Sequence, residues 1–443
     1  MRATAVALAL ACAVGWFFAR CAPAGATPWL FVSDIHLKAV SRKKTPSPYG
    51  RDTNDALFES ALREMQRVDP HPPVVIVTGD LLAHSITPRT AIPTAVLVAQ
   101  RLNRAFPQAQ FVLALGNIDS DCGDYELAPN SKFLRAVAAA WEPLVNRRGA
   151  APDFQRTFAR DGFYTATLPL PGLRAIAFDD VFWSVRYHAR CAPAGNVAAN
   201  VMGELEAALA QTKGRAWVLF HIPPGVDAFS TAHLAHRLAI VPFLAPEWRD
   251  EFVDVLAKSA GRVALAVAGH THKFAYRIVD GTGAQPVPML LVPAISPIFD
   301  NAPSFLTADV TSDGTLRDVE DFAFLAGRWS GIGGMPSLGV DDFTGSQLIG
   351  LQERLARDSA LRATFDRLYG GGAPPEVDEH NWFVYWCAAT AFGSTQFRDC
   401  ANSGGFAFVT RRGVEAAIAA AVVIALAAGG FVWWRMRRRK LRV

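Results

Sequence analysis

Five times along this chain a short, wholly apolar run stops at a residue able to ligate a metal ion. Trp29-Leu30-Phe31-Val32 leads into Asp34 and His36, Val74-Val75-Ile76-Val77 into Gly79-Asp80, and Phe111-Val112-Leu113-Ala114-Leu115 into Gly116-Asn117. Ala216-Trp217-Val218-Leu219-Phe220 stops at His221, and Val263-Ala264-Leu265-Ala266-Val267 runs through Ala268-Gly269 into His270-Thr271-His272. Runs this short suit strands buried on both faces rather than helices. Polar residues at such strand ends sit where an α/β sheet collects its ligands, in loops above a rigid scaffold.

Between the runs the period changes. Over 54–68 the apolar Leu57, Phe58, Ala61, Leu62, Met65 and Val68 share one helical face behind a capping Asn54. Helices are also expected over 90–106, 132–145, 197–211 and 247–259. Segments 163–168 and 173–178 read as strands paired about Pro171-Gly172, and 276–279 and 289–292 as further strands. This alternation, loosening into a hairpin-rich part, predicts an α/β fold with a mixed sheet, or two sheets with helices outside. The main domain is expected over 27–325. Beyond it a helical stretch (347–369) and the aromatic segment Trp382-Phe383-Val384-Tyr385-Trp386 predict a small C-terminal helical subdomain over 326–413.

The two ends carry a different signal. Residues 1–26 read as a secretory signal peptide, with Arg2, an apolar run and Ala24-Gly25-Ala26 as the cleavage site; an uncleaved anchor is the alternative. Residues 414–434 are expected to form one transmembrane helix, uncharged from Ala416 to Trp434 and closed by Trp433-Trp434. The basic 435–443 is then a short cytoplasmic tail, and the body lies outside the cytoplasm on a single-pass anchor, lumenal or at the cell surface. Eight cations lie in these ends: Arg2, Arg20 and six between Arg435 and Arg442. Without them the formal charge of +4 becomes −4, which gives no basis for a nucleic-acid partner. Cys122, Cys191, Cys387 and Cys400 remain after the leader, an even number suited to an oxidising compartment. The short loop favours Cys387–Cys400, and elimination leaves Cys122–Cys191.

Asp34, His36, Asp80, Asn117, His221, His270 and His272 offer carboxylates, an amide and imidazoles, with no thiolate. That set suits borderline-hard divalent ions, zinc first, with manganese or iron as alternatives. It is too large for one open tetrahedral site and fits two ions sharing a bridging carboxylate. Such a pair clamps a phosphoryl oxygen and activates water for in-line attack on phosphorus.

Asp34-x-His36, Gly79-Asp80, Gly116-Asn117, His221 and Gly269-His270-x-His272 resemble the signature of the calcineurin-like metallophosphoesterases, over roughly residues 29–320. More narrowly, Gly79-Asp80-Leu81-Leu82-Ala83-His84 and His221-Ile222-Pro223-Pro224-Gly225 resemble the acid sphingomyelinase-like phosphodiesterases. The resemblance implies a four-layer β-sandwich flanked by helices. It implies one ion on Asp34, His36, Asp80 and His272, and another on Asp80, Asn117, His221 and His270. It also implies that His84 faces the substrate phosphate, to stabilise charge or protonate the leaving oxygen; orienting a ligand from behind is the alternative. The implied activity is that of a membrane-tethered, exported hydrolase of phosphodiesters or related phosphate esters, of lipid head-group or nucleotide type. An exported polyphosphate hydrolase and a non-catalytic surface binding protein are the alternatives.

One position departs from the family. Ile118 follows Asn117 where most members have a histidine that assists the leaving group. Either His84 carries that role alone, Asp119 contributes to orientation, or the substrate has a good leaving group. Leu81–Ser85 also lacks the arginine of protein Ser/Thr phosphatases, and Ala83 stands where purple acid phosphatases have a tyrosine.

Overall fold

The computed structural model describes residues 28–403 except 39–42, 192, 194, 234–239, 282, 284 and 375, together with 418–426, 428 and 429. In chain order the first half contains β1 (Trp29–Val32), α1 (Asp55–Val68), β2 (Val74–Val77), α2 (Pro88–Ala105), β3 (Gln110–Leu113), α3 (Lys132–Val145) and α4 (Phe154–Asp161). Next come β4 (Tyr164–Thr167), β5 (Leu173–Ala177), α5 (Val197–Gln211), β6 (Arg215–Leu219), α6 (Ala228–His233), α7 (Pro246–Lys258) and β7 (Val263–Ala268). They are followed by β8 (Ala275–Val279), β9 (Val287–Leu291), β10 (Ser304–Val310), β11 (Leu316–Leu325) and β12 (Arg328–Gly334). The last helices are α8 (Gly345–Leu355), α9 (Ser359–Tyr369), α10 (Trp382–Ala388) and α11 (Ser394–Ser403).

The strands form two six-stranded mixed sheets, ordered β12-β11-β10-β1-β2-β3 and β4-β5-β6-β7-β9-β8. β1, β2 and β3 run parallel, as do β5, β6, β7 and β9, so the liganding strand ends of each sheet point the same way. The sheets meet through large aromatic side chains: Trp29 of β1 lies 4.9 Å from Trp217 of β6, ring to ring. Every residue of β1, β2 and β7 is buried, which is why these strands read as unbroken apolar runs. The helices begin where their caps direct. Asn54 Oδ1 accepts from Leu57 N-H at 3.0 Å to start α1, which then buries Leu57, Phe58, Ala61, Leu62 and Met65.

Three expectations change. Residues 326–334, assigned above to the C-terminal subdomain, form the turn and final strand of the first sheet, where Glu320 of β11 pairs with Gly334 of β12. β10, β11 and β12 were not expected at all. β12 (Arg-Trp-Ser-Gly-Ile-Gly-Gly) has no clean alternation, and β11 breaks register at Asp321/Phe322. The helical stretch expected over 347–369 divides into two helices, because Asp358 caps a new start by accepting from Ala360 and Leu361 N-H.

The C-terminal helices are not an independent unit. Leu348, Leu351, Val384 and Cys387 belong to the same buried cluster as both sheets, and α8 packs on β8 and β9. Both favoured disulfides are present, with Cα separations of 6.1 Å for Cys122–Cys191 and 5.9 Å for Cys387–Cys400.

The signal peptide expected over 1–26 and the tail over 435–443 lie outside the described residues. The transmembrane helix expected over 414–434 lies partly outside them. Its described part, 418–426, is helical and exposes Ile418, Val422, Val423, Ile424 and Leu426. Among the described residues no helix is long and apolar enough to cross a membrane.

Candidate metal centre

The structure brings the seven sequence-predicted ligands together where the two sheets' strand ends converge. Backbone bonds lock these ends to one another: Asp34 N-H donates to Gly79 O at 3.0 Å, His36 N-H to Asp80 O at 2.8 Å, and Gly269 N-H to His221 O at 3.0 Å. The approach is so close that a side chain on Gly269 would come within 2.1 Å of Ser33 Oγ. Five of the seven residues, Asp34, His36, Asp80, His270 and His272, hold positive φ angles between 45° and 69°. Non-glycine residues rarely adopt this conformation, and its local cost is retained mainly where a site demands it.

The side chains fall into two groups around one carboxylate. Asp34, His36 and His272 form the first and Asp80, His221 and His270 the second, with the ligand atoms of each within 4.8 Å of one another. Asp80 Oδ2 lies between them, 3.5 Å from His36 Nε2 and 3.3 Å from His221 Nε2. Asp34 Oδ1 is 3.2 Å from His272 Nε2. Asn117 joins the second group, its Oδ1 3.1 Å from His221 Nε2, and His270 Nδ1 lies 3.2 Å from the same nitrogen.

Surrounding groups fix which atoms face inward. The Nδ1 atoms of His36 and His221 lie 2.9 Å from Leu82 O and 2.7 Å from Thr78 O, contacts that make Nδ1 the protonated nitrogen and leave Nε2 for the site. Asn117 Nδ2 donates to Asp124 Oδ1 at 2.7 Å, which turns its oxygen inward. Asp119, next to the missing histidine, is buried and accepts from the N-H groups of Gly116, Leu81 and Leu82, tying together the two loops that carry Asp80 and Asn117.

Burial works against charge here, and the neighbours overcome it. Desolvation raises the Asp34 and Asp80 carboxyls, but His272 beside the first and His221 and His36 beside the second hold both well below the ordinary range. Burial lowers His36 and His221, yet Asp80 brings them up to about 9 and about 10. Burial and the charge on His221 push His270 down to about 3. Asp34 Oδ1 is buried with no hydrogen-bond donor. Low carboxylates, imidazole nitrogens converging on them and an oxygen lacking a donor together make a pocket that favours positive charge. The donor set fits two divalent ions.

A cavity of about 510 Å³ opens over this centre, lined by Asp80, Asn117, His270 and His272 and by His84. The His84 ring stacks on His36 at 4.5 Å between centroids, and its Nδ1 contacts Asp52 Oδ1 at 2.8 Å. Ile118 faces the core, and only its backbone N-H serves the site, donating to Asp80 Oδ1 at 2.9 Å. Sequence reasoning missed Asp52 and Asp124. Asp52 is the one acidic residue of the polar stretch 38–54 and Asp124 one of several over 119–126, and the signal that would have singled out either is a nearby residue that required a partner.

The family model for calcineurin-like phosphoesterases matches residues 27–274. A sphingomyelinase phosphodiesterase D of Dictyostelium discoideum is 24% identical over 292 residues, covering 62% of this chain and 60% of that protein. An acid sphingomyelinase-like phosphodiesterase 3b of Mus musculus is 24% identical over 315 residues, with coverage of 64% and 66%. A cyclic GMP-AMP phosphodiesterase of Homo sapiens is 25% identical over 291 residues, with coverage of 61% and 60%. The matched stretch thus spans about three-fifths of the length of these relatives. With its liganding residues gathered on the strand ends inside the matched region, this chain belongs to the calcineurin-like phosphoesterase family.

Proposed function

We propose that this chain is a metal-dependent hydrolase of phosphodiesters or related phosphate esters, using two divalent ions, with zinc the ion we favour. The observation that carries the reading is the position of Asp80 Oδ2 between the His36 and His221 imidazoles, the geometry of a carboxylate shared by two ion sites. Asp34, His36 and His272 would hold one ion and Asn117, His221 and His270 the other. Ions so held supply Lewis acidity toward phosphoryl oxygens and make water a competent nucleophile at neutral pH.

The chain's own residues do the rest. The glycines behind Asp80 and His270 admit close backbone packing and keep the ligands rigid. His84, the one cavity-lining imidazole among the described residues outside the ligand set, presents Nε2 toward the ester. There it donates to a phosphate oxygen or protonates the leaving group. The names of the relatives support phosphodiesters of lipid head-group or nucleotide type as the class to test first.

Export and a membrane tether belong to the same proposal. Two disulfides suit an oxidising compartment. The exposed apolar side chains of 418–426 and the basic cluster after Trp434 suit an anchor with the catalytic body outside the cytoplasm. Protease protection of the tail in intact membranes checks the topology.

The deciding experiment measures metal content and turnover of the purified full chain on bis-p-nitrophenyl phosphate, before and after chelation and on adding back zinc, manganese or iron. Loss on chelation and recovery with metal is expected. A chain that takes up no metal and hydrolyses no phosphate ester would sink the reading. Cleavage of polyphosphate with no action on the diester would move it to a polyphosphate hydrolase.

A further inference from the structure

Arg277 is a buried cation with no role in the metal centre. It lies on β8, 3% exposed, five residues after His272, and lines the same cavity. Fully extended chain sets their Cα separation at no more than about 18 Å. Its Nη2 donates to Val226 O at 2.8 Å and its Nη1 to Ala388 O at 3.1 Å, while Nε has no partner. A guanidinium has five N-H donors, so these two bonds leave most of the fork unspent.

Among the described residues no acidic group comes within ion-pair distance of Arg277; Tyr369 and Asp227 act on its charge from farther off, and each Asp227 oxygen accepts a hydrogen bond from Ser230. Lys273, on the same stretch, shows the ordinary solution: its Nζ sits 2.5 Å from Glu376 Oε2. An unpaired buried charge is costly, and folds keep one mainly when something else supplies the counter-charge.

The surroundings are built to hold the guanidinium. Gly225 adopts φ +110°, and a side chain there would come within 2.2 Å of Arg277 Nη1. Arg277 also lies over the Phe243 ring at 5.8 Å. The cavity that Arg277 lines also carries the aromatic side chains of Tyr276, Phe365, Tyr369 and Trp386. Two more buried polar atoms on lining residues lack partners, the Tyr276 hydroxyl and Gln352 Oε1. A purely structural tie between the 222–226 loop and α10 would explain two hydrogen bonds. It would not explain a guanidinium left without a direct ion-pair partner, and with Nε unbonded, beside a cavity.

We propose that Arg277 is an anion-recognition subsite, and that the preferred substrate is a phosphate ester whose alcohol half is apolar or aromatic and bears a second anionic group, a carboxylate or a phosphate. The ester phosphorus sits at the metal centre and the second anion meets the guanidinium, with the aromatic wall covering the stretch between. This rests on the hydrolase reading for its substrate, but not for its binding test.

The test uses matched pairs on the full chain. Binding of ω-phosphonoalkanoates of increasing length is compared by calorimetry with that of methyl-ended alkylphosphonates. In parallel, kcat/KM is compared for p-nitrophenyl phosphodiesters bearing a hexyl or an ω-carboxyalkyl chain. At one chain length the anionic member should be preferred by about ten-fold to a hundred-fold, the range for a hydrogen bond to a charged group. An ω-phosphate in place of the carboxylate separates the two anion types. Arg277→Gln should bring the ratio close to one, and Arg277→Lys should keep part of it. Equal affinity of the wild-type protein for both members at every length, or a preference that survives in Arg277→Gln, overturns the subsite; the wild-type comparison decides even if that variant does not fold. An intact binding preference without hydrolysis of either ester would refute the hydrolase reading and leave the subsite standing.

Discussion

Substituting Gly116 by alanine tests whether rigid strand ends, rather than ligand identity alone, make the centre. A Cβ at this position would lie 2.1 Å from Asp80 Oδ1, 2.4 Å from Asp80 N and 2.6 Å from Asp80 Cγ. An ordinary contact is 3.4 Å or more, so the two segments must part by over an ångström. Asp80 has no free direction. Its carbonyl accepts from His36 N-H, its Oδ1 from Ile118 N-H, and Gly116 itself is held by Asp119. The strain therefore falls on the carboxylate that lies between the two groups. Overpacking of this kind costs about 1–3 kcal/mol of stability, and an ångström of misplacement in a catalytic constellation costs about a hundred-fold in rate. Gly116→Ala is expected to fold with a lower melting temperature, to lose bound metal by plasma mass spectrometry, and to lose about a hundred-fold in kcat/KM on bis-p-nitrophenyl phosphate. Gly203→Ala, in α5 with open space around its Cβ, is the matched control and should be neutral or slightly stabilising. Normal metal content and turnover in Gly116→Ala would show that the centre tolerates displacement of Asp80, and the argument from rigidity would fail.

Asp52→Asn removes the carboxylate that orients His84; kcat should fall by about ten-fold to a hundred-fold with metal content unchanged, and more steeply for esters with poor leaving groups. Loss of metal in that variant would instead make His36, Asp52 and His84 an ion-binding group, which their mutual approach also allows. Asp321 tests the fold away from the site. It is fully buried on β11 with neither oxygen hydrogen-bonded, and the Ser304 hydroxyl beside it donates to Ala302 O. Burial holds its carboxyl well above the ordinary value, so the folded state prefers it protonated. Its favourable contribution is present below the unfolded-state pKa and is lost as pH rises through the folded one. Asp321→Asn should raise the melting temperature at pH 8, by about 2 kcal/mol of stability, with the advantage shrinking on acidification. A constant difference across pH would refute the assignment.

What the sequence disclosed follows from where the physics is local. The candidate ligand cluster was legible because the chemistry restricts residue type and the buried strands restrict position, so Asp34, Asp80, Asn117, His221 and His270 each follow an apolar run. The helix expected over 197–211 has those bounds in α5. The pairing of β1 with β10 was not legible, because Trp29 meets Ala308 across most of the chain and no local pattern records that partner. Arg277 was hidden for a related reason. An arginine in Ala-Tyr-Arg-Ile-Val reads as one outward-facing residue of a strand, yet all five residues are buried, because α8 and the loop at Gly225 cover this sheet edge.

The same reasoning narrows the choice left open by Ile118. Three accounts were available: His84 alone, Asp119 as orienter, or a substrate that needs no acid. Asp119 is not placed to reach an ester, since it is buried and both its oxygens are occupied by backbone N-H groups. Its work is to hold the loops of Asp80 and Asn117 in register. The Ile118 side chain is packed in the core and offers no proton donor itself. His84 lines the cavity, stacked on His36 and steadied by Asp52 through Nδ1. On the proposed reading, acid assistance falls to His84 and loop orientation to Asp119, two separate residues. His84→Ala should therefore slow esters of poor leaving groups far more than p-nitrophenyl esters, and equal losses on both would return His84 to a purely structural part.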